Sequence, residues 1–151
     1  MDTCIFCNIV TRKLGSACFW EDSEFMAILD INPNTPGMAL VITKNHYNSY
    51  AFDMPNDVYQ RFMLAAKKVA GILECGLGVQ RVALVMEGMG VDHAHIKLYP
   101  LHGLDKKFTE MNAPTRVFFD QYPGYLTTQM GPQVNFEDLD QMAEKLKNTC
   151  L

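Results

Sequence analysis

The feature that most constrains the fold of this chain is a long amphipathic stretch near its middle. Between residues 54 and 78, apolar side chains at positions 58, 62, 65, 66, 69, 72 and 73 recur three and four residues apart. This spacing puts them on one face of an α-helix, and that face must be buried against another apolar surface. We predict a helix that is capped at Asn56 or Asp57 and ended by Gly76.

Shorter segments on both sides of this helix have the composition of β-strands. Aromatic and β-branched residues are concentrated at 16–22, 24–31 and 38–44, and again at 80–87 and 93–100. Glycines within 88–92 indicate a hairpin between the last two strands, and a short amphipathic helix is predicted from about Asn135. We expect a single α+β domain over 1–151, with a five-stranded antiparallel sheet, a core at about 4–100 and an extended C-terminal tail at about 101–151.

Composition argues against several classes of protein. Charged residues make up 20% of the chain, the formal net charge is -4 and there is no long basic run, so nucleic-acid binding is not expected. The first ten residues do not resemble a signal peptide, and no segment reaches the roughly 18 apolar residues of a membrane span. The five cysteines are odd in number with one close pair, unlike a secreted disulfide framework. We expect a soluble, cytoplasmic protein.

The segment HAHIKLYP at 93–100 places reactive side chains along one predicted strand. Because side chains alternate between faces, His93, His95 and Lys97 share one side, and the apolar residues between them share the other. Two imidazoles and an ammonium about 7 Å apart form a cluster that suits an anion or a metal ion. The alternative is a solvent-facing strand with two incidental histidines.

A second group of candidate ligands is the C-x-x-C pair Cys4 and Cys7. This spacing suits a redox pair or two thiolate ligands to zinc. A thioredoxin-like pair would follow a strand and open a helix of a βαβ unit, a pattern not predicted here, so zinc is favoured. The remaining ligands would then come from the four histidines at positions 46, 93, 95 and 102.

Together with the segment FMAILDINPNTPGMALVITKNHY, these motifs resemble the histidine triad (HIT) family of nucleotide-binding hydrolases and transferases. The resemblance covers about residues 4–100 and follows the family's order of elements. It implies a HIT-like fold and a homodimer. It also implies that His95 attacks the phosphorus next to a nucleoside, forms a nucleotidyl-histidine intermediate and releases a nucleoside monophosphate.

The resemblance also assigns binding residues. Zinc-bearing members of the family imply a structural Zn²⁺ site at Cys4, Cys7, His46 and His93, although His93 and His95 could instead serve together in a site without catalysis. Asp30 would bind the ribose of a purine nucleotide, unless it is only a turn residue. The apolar positions around the base would be Ile5, Phe6, Ile9, Ile28 and Leu29, which could equally be plain core. Backbone N–H groups at Gly88 and Gly90 could approach the phosphate.

The sequence departs from the family pattern near the phosphate. Lys97 replaces the third histidine, and as a permanent cation it would favour more negative phosphates while shuttling protons poorly. Met38, Met86 and Met89 replace side chains that contact phosphate in many members. The resemblance as a whole implies a phosphoramidase-like hydrolase that acts on nucleoside 5'-phosphoramidates or related nucleotidyl bonds and releases AMP. The alternatives are a dinucleoside polyphosphate hydrolase, which Lys97 modestly favours, and a non-catalytic nucleotide-binding or zinc-stabilised interaction protein.

Overall fold

One antiparallel sheet organises the protein, seen here in a computed structural model that describes residues 4–111, 120–124 and 133–149. The strands are β1 (Cys18–Glu21), β2 (Phe25–Leu29), β3 (Ala39–Thr43), β4 (Val82–Val85) and β5 (His95–Pro100), and the helices are α1 (Ile5–Val10), α2 (Asn56–Leu77) and α3 (Phe136–Thr149), with a short 3-10 helix at Ala51–Asp53. The strand order in the sheet is β1-β2-β3-β5-β4. The predicted five-stranded α+β architecture is confirmed.

The two faces of the sheet carry separate apolar clusters. The larger cluster lies between the sheet and the helices α2 and α3, and it includes Ile96 and Leu98 from β5. The smaller cluster lies on the opposite face, where Phe6 and Ile9 of α1 pack against Ile42 and its neighbours. The alternation predicted for the 93–100 segment is therefore present, and it leaves His95 on the α1 side of the sheet. We call this side the α1 face.

The long helix differs from the prediction at both ends. Its N-cap is Pro55, with no side-chain capping bond, and Asn56 is already helical, so neither Asn56 nor Asp57 acts as a cap. Gly76 lies inside the helix, where it packs closely against Leu146 of α3. Gly78 ends the helix instead, because it adopts the left-handed conformation (φ +69°) that favours glycine.

The β4–β5 hairpin is confirmed, with Val82 opposite Pro100 and Val85 opposite Lys97. Its connection is longer than predicted, because β4 ends at Val85 and β5 begins only at His95. His93 therefore precedes the strand. The predicted C-terminal helix is present as α3, where Asn135 accepts the backbone N–H of Asp138 at 2.9 Å. No helix of the described residues is long and apolar enough to cross a membrane.

Candidate active site and metal centre

Four potential metal ligands from three parts of the chain meet on the α1 face. Cys4 precedes α1, Cys7 lies within it, His46 follows β3 and His93 precedes β5. The Sγ atom of Cys4 is 3.4 Å from Nδ1 of His93, and the Sγ atom of Cys7 is 3.4 Å from Nδ1 of His46. All four ligand atoms lie within 4.8 Å of one another. The fold thus brings together the four residues that were predicted as metal ligands.

Four of the six separations among these atoms are close to those expected in a tetrahedral zinc shell. Donors bound at ordinary Zn–S and Zn–N lengths and tetrahedral angles are about 3.3–3.8 Å apart. The Nδ1 atoms of His46 and His93 are 3.2 Å apart, and the Sγ atom of Cys7 is 3.6 Å from Nδ1 of His93. Two thiolates and two imidazoles fill a four-coordinate shell, which is the arrangement of a structural site.

The fold determines which nitrogen of His93 faces this cluster. Its Nε2 donates a hydrogen bond to the backbone carbonyl of Thr43 at 2.8 Å and lies 3.1 Å from the Thr43 hydroxyl. Because the carbonyl only accepts, Nε2 carries the hydrogen and Nδ1 presents its lone pair to the cysteines. The ring is completely buried, and burial lowers the pKa of His93, which favours the neutral form that a metal ligand requires.

His95 uses its two nitrogens in the opposite way. Its Nδ1 donates a hydrogen bond to the backbone carbonyl of His93 at 2.7 Å, so the lone pair lies on Nε2. The ring of Phe6 stands edge-on to the imidazole, with ring centroids 5.2 Å apart. Burial lowers the pKa of His95, and the positive charge of Lys97 lowers it further. A neutral imidazole with one available lone pair has the form that a nucleophile needs.

Lys97 lies two residues beyond His95 and faces a carboxylate. Its Nζ atom is 4.0 Å from Oε2 of Glu87. Glu87 lies two residues after Val85, which is the residue of β4 opposite Lys97. Tyr122, from the C-terminal tail, donates a hydrogen bond to the other carboxylate oxygen of Glu87, and this bond raises the pKa of Tyr122 to about 12. Lys97 is therefore an ion-paired cation.

The apolar residues predicted around a base separate onto the two faces of the sheet. Phe6, Ile9 and Ile28 belong to the small cluster on the α1 face, and Ile5 in the same helix is 43% exposed. Leu29 belongs instead to the large cluster beneath α2 and α3. Adjacent strand residues point to opposite sides, so the structure does not bring Leu29 together with the other four.

Asp30 directly follows β2, which ends at Leu29. Its Oδ1 atom accepts the backbone N–H of Asn32 at 2.8 Å, which is the local turn interaction predicted as the alternative role. This bond occupies one oxygen of the carboxylate. The charge of Asp30 also acts on His95, since it raises the pKa of that imidazole against the effect of burial.

Gly88 and Gly90 differ in their surroundings. Gly88 has φ +76°, and a Cβ atom added there would lie 2.6 Å from the carbonyl oxygen of Ser49. At Gly90 the added Cβ atom would meet no atom of the described residues within 4 Å. The close approach of two loops therefore explains why residue 88 is a glycine. Asp92 also joins these loops, because its side chain accepts the backbone N–H of Ser49 at 2.9 Å.

The sequence profile of the HIT domain matches residues 11–103, well over half of the chain. The protein therefore belongs to the HIT domain family.

Two curated relatives illustrate this membership. An uncharacterised HIT-like protein from Methanocaldococcus jannaschii is 30% identical over 123 residues, which are 78% of this chain and 94% of that protein. The adenosine 5'-monophosphoramidase HNT1 from Saccharomyces cerevisiae is 32% identical over 98 residues, which are 64% of this chain and 61% of that protein.

Solved structures show the same fold. A hypothetical histidine triad nucleotide-binding protein from Sulfolobus tokodaii superposes with a TM-score of 0.74 at 22% identity, covering 97% of this chain and 91% of that one. A Zn-bound histidine triad family protein from Mycobacterium smegmatis superposes with a TM-score of 0.68 at 21% identity, covering 98% and 93% of the two chains. At these identities the likeness establishes the fold.

Sequence reasoning missed three residues that support the site. Thr43 fixes the ring of His93 through its carbonyl, Glu87 faces Lys97, and Tyr122 binds Glu87. Thr43 ends a strand of otherwise apolar residues, which could have drawn attention to it. The other two contacts join segments that are distant in sequence, and no local pattern predicts them.

Proposed function

We propose that this protein hydrolyses nucleoside 5'-phosphoramidates or closely related nucleotidyl bonds and releases a nucleoside monophosphate, with AMP as the expected product. The observation that carries the proposal is the state of His95. Its Nδ1–H is held by the carbonyl of His93 at 2.7 Å, which leaves the lone pair on Nε2, and Lys97 lies on the same face of β5 as His95. This is the geometry of an imidazole prepared for attack on phosphorus.

The reaction would proceed in two displacements at the same phosphorus. Nε2 of His95 attacks, the bond from phosphorus to the amine nitrogen breaks, and the amine takes up a proton from solvent as it departs. Nδ1–H remains bonded to the carbonyl of His93, which stabilises the charge on the ring during the intermediate. Water then attacks the phosphorus and the bond to Nε2 breaks, with its electron pair returning to Nε2. The hydroxyl of that water stays on the released monophosphate, and its other proton goes to solvent. Two easier steps thus replace one difficult displacement.

Zinc bound by Cys4, Cys7, His46 and His93 would act structurally in this proposal. The four ligands come from α1, the end of β3 and the approach to β5. An ion there would hold α1 against the strand that presents His95, and it would fix the carbonyl of His93 that orients the nucleophile. With four protein ligands the ion would have no open position for substrate, so the chemistry would be left to His95.

The HNT1 relative from yeast supports the choice of substrate, because its described activity is that of an adenosine 5'-monophosphoramidase. An adenine nucleotide is accordingly our proposed ligand, with Phe6, Ile9 and Ile28 toward the base and Asp30 toward the ribose. A carboxylate suits a vicinal diol, since its oxygens can accept the hydroxyl protons. The same proposal includes a homodimeric state, which the family resemblance implies, and a cytoplasmic location, which the sequence features predict.

The experiment is to incubate the purified protein with adenosine 5'-phosphoramidate and to follow AMP by chromatography. We expect the wild type to release AMP and His95→Ala to lose at least about 100-fold in rate, since a nucleophile has been removed. Zinc content should be equal in the two proteins. His102→Ala is the matched control, because His102 is an exposed histidine that donates to the carbonyl of Pro36 at 2.9 Å, away from the cluster. Equal AMP release by the wild type and His95→Ala would refute the proposal.

A further inference from the structure

The ion pair beside the nucleophile is partly withdrawn from water. The side chain of Glu87 is only 10% exposed and that of Lys97 is 23% exposed, with Nζ and Oε2 4.0 Å apart. Charges at such a site are screened less than charges on the open surface. Each charge therefore affects how the other interacts with a ligand.

The position of Glu87 is set from two sides. The register that places Val85 opposite Lys97 brings residue 87 to the end of the hairpin beside the site. The hydroxyl of Tyr122 binds the carboxylate oxygen that does not face Lys97. One oxygen of Glu87 is thus directed to the ammonium while the other is held by the C-terminal tail.

This arrangement changes the expected effect of Lys97. An isolated ammonium next to His95 would attract additional phosphate groups and favour polyphosphates. With a carboxylate 4.0 Å away, the pair carries no net charge, so a phosphate beyond the first gains little from Lys97 and is repelled by Glu87. The binding of a phosphoramidate group, which carries a single negative charge, is weakened less by this neutral pair.

We propose that Glu87 is a specificity-determining residue that offsets the charge of Lys97 and so restricts the site to nucleotides with few phosphate charges. This inference rests on the proposed function, and it defines the substrate class of that site. Glu87 acts by its charge, on Lys97 and on additional phosphates, and takes no part in the bond-breaking steps. Its role predicts a change in preference among nucleotides and leaves the nucleophile intact.

The test is calorimetric titration of AMP and of ATP, without Mg²⁺, into the wild type and Glu87→Gln. Glutamine keeps the shape of the side chain and can still accept the Tyr122 hydrogen bond. We expect the Kd for ATP to fall at least about fivefold while the Kd for AMP stays within about twofold. The double variant with Glu87→Gln and Lys97→Gln should lose this tighter ATP binding, because it no longer carries the unpaired ammonium of Lys97.

Two controls separate charge from packing. Tyr122→Phe keeps the carboxylate and the ion pair, so the ratio of the two Kd values should stay within about twofold of the wild type. Glu144→Gln removes the same formal charge from an exposed pair with Lys147 on α3, and it should leave the ratio unchanged. A changed ratio in Glu144→Gln of the size seen in Glu87→Gln would overturn the inference.

The outcomes distinguish the inference from the function on which it rests. If the wild type binds AMP and Glu87→Gln leaves the ratio unchanged, Glu87 is not a specificity determinant, while the proposed function stands. If the wild type binds neither nucleotide, both are refuted. If Glu87→Gln fails to fold, the single variant Lys97→Gln provides the test. It leaves Glu87 unpaired, so the Kd for ATP should rise at least about fivefold relative to the Kd for AMP. An unchanged ratio of the two Kd values would refute the inference.

Discussion

Gly88→Ala provides a demanding test of how the loop before His93 is built. The residue has φ +76°, and the added methyl group would lie 2.6 Å from the carbonyl oxygen of Ser49. The left-handed conformation costs a residue with a Cβ about 1–2 kcal/mol, and overpacking against backbone adds about 1–3 kcal/mol. We therefore expect Gly88→Ala to lower the free energy of unfolding by about 2–5 kcal/mol.

Gly90→Ala is the matched control, since it lies two residues away in the same loop and no atom of the described part of the chain stands within 4 Å of the added methyl group. Alanine there reduces the freedom of the unfolded chain, so the protein should be unchanged or more stable by up to about 1 kcal/mol. Urea unfolding can be followed by the fluorescence of Trp20, the only tryptophan of the sequence. Free energies of unfolding for the two variants that agree within about 0.5 kcal/mol would refute the reasoning.

Two further predictions concern the metal centre and a surface charge cluster. Cys7→Ala removes one of four clustered ligand atoms, so the zinc content measured after purification should fall and the Tm should drop. Cys18 is a free thiol outside the cluster, so Cys18→Ala should retain the wild-type zinc content. Equal zinc content in the two variants would contradict the assignment of the metal ligands. The side-chain hydrogen bond from Lys44, aided by Arg12, holds the pKa of Glu21 below its ordinary value of 4.5, so its stabilisation is present above about pH 4.5 and is lost as the pH falls through the lower folded-state pKa. Glu21→Gln should cost a few tenths of a kcal/mol at pH 7, since Glu21 and Arg12 are exposed and Lys44 is only half-buried, and nothing at about pH 2. A cost that persists at pH 2 would show that it does not come from charge.

The sequence predicted those features that depend on local geometry. A strand alternates between two faces, so the separation of His95 and Lys97 from Ile96 and Leu98 followed from the order of residues alone. The helix α2 was predicted from the three- and four-residue spacing of its apolar side chains. The hairpin between β4 and β5 was predicted from the glycines in its turn. The ends of α2 were harder to predict, because Gly76 and Gly78 are both plausible stops until the packing against Leu146 selects one.

The candidate metal ligands were proposed from the C-x-x-C pair and the family resemblance, but their meeting within 4.8 Å is a property of the folded chain. Leu29 shows the opposite case, because adjacent residues of β2 face different clusters and Leu29 packs away from the site. Two properties of the fold decide which residues of β2 reach the site. They are the register of β2 against β3 and the placement of α1 over one face of the sheet.

By itself, the sequence determined the alternating faces, the long amphipathic helix and the residue types that can bind zinc or attack phosphorus, because each depends on the backbone period or on the chemistry of one side chain. Only the tertiary structure decided that His93 and His95 present different nitrogens and that Lys97 is paired with Glu87. These properties depend on hydrogen bonds and charges between segments far apart in the chain, and such contacts exist only after the sheet has formed and brought those segments together.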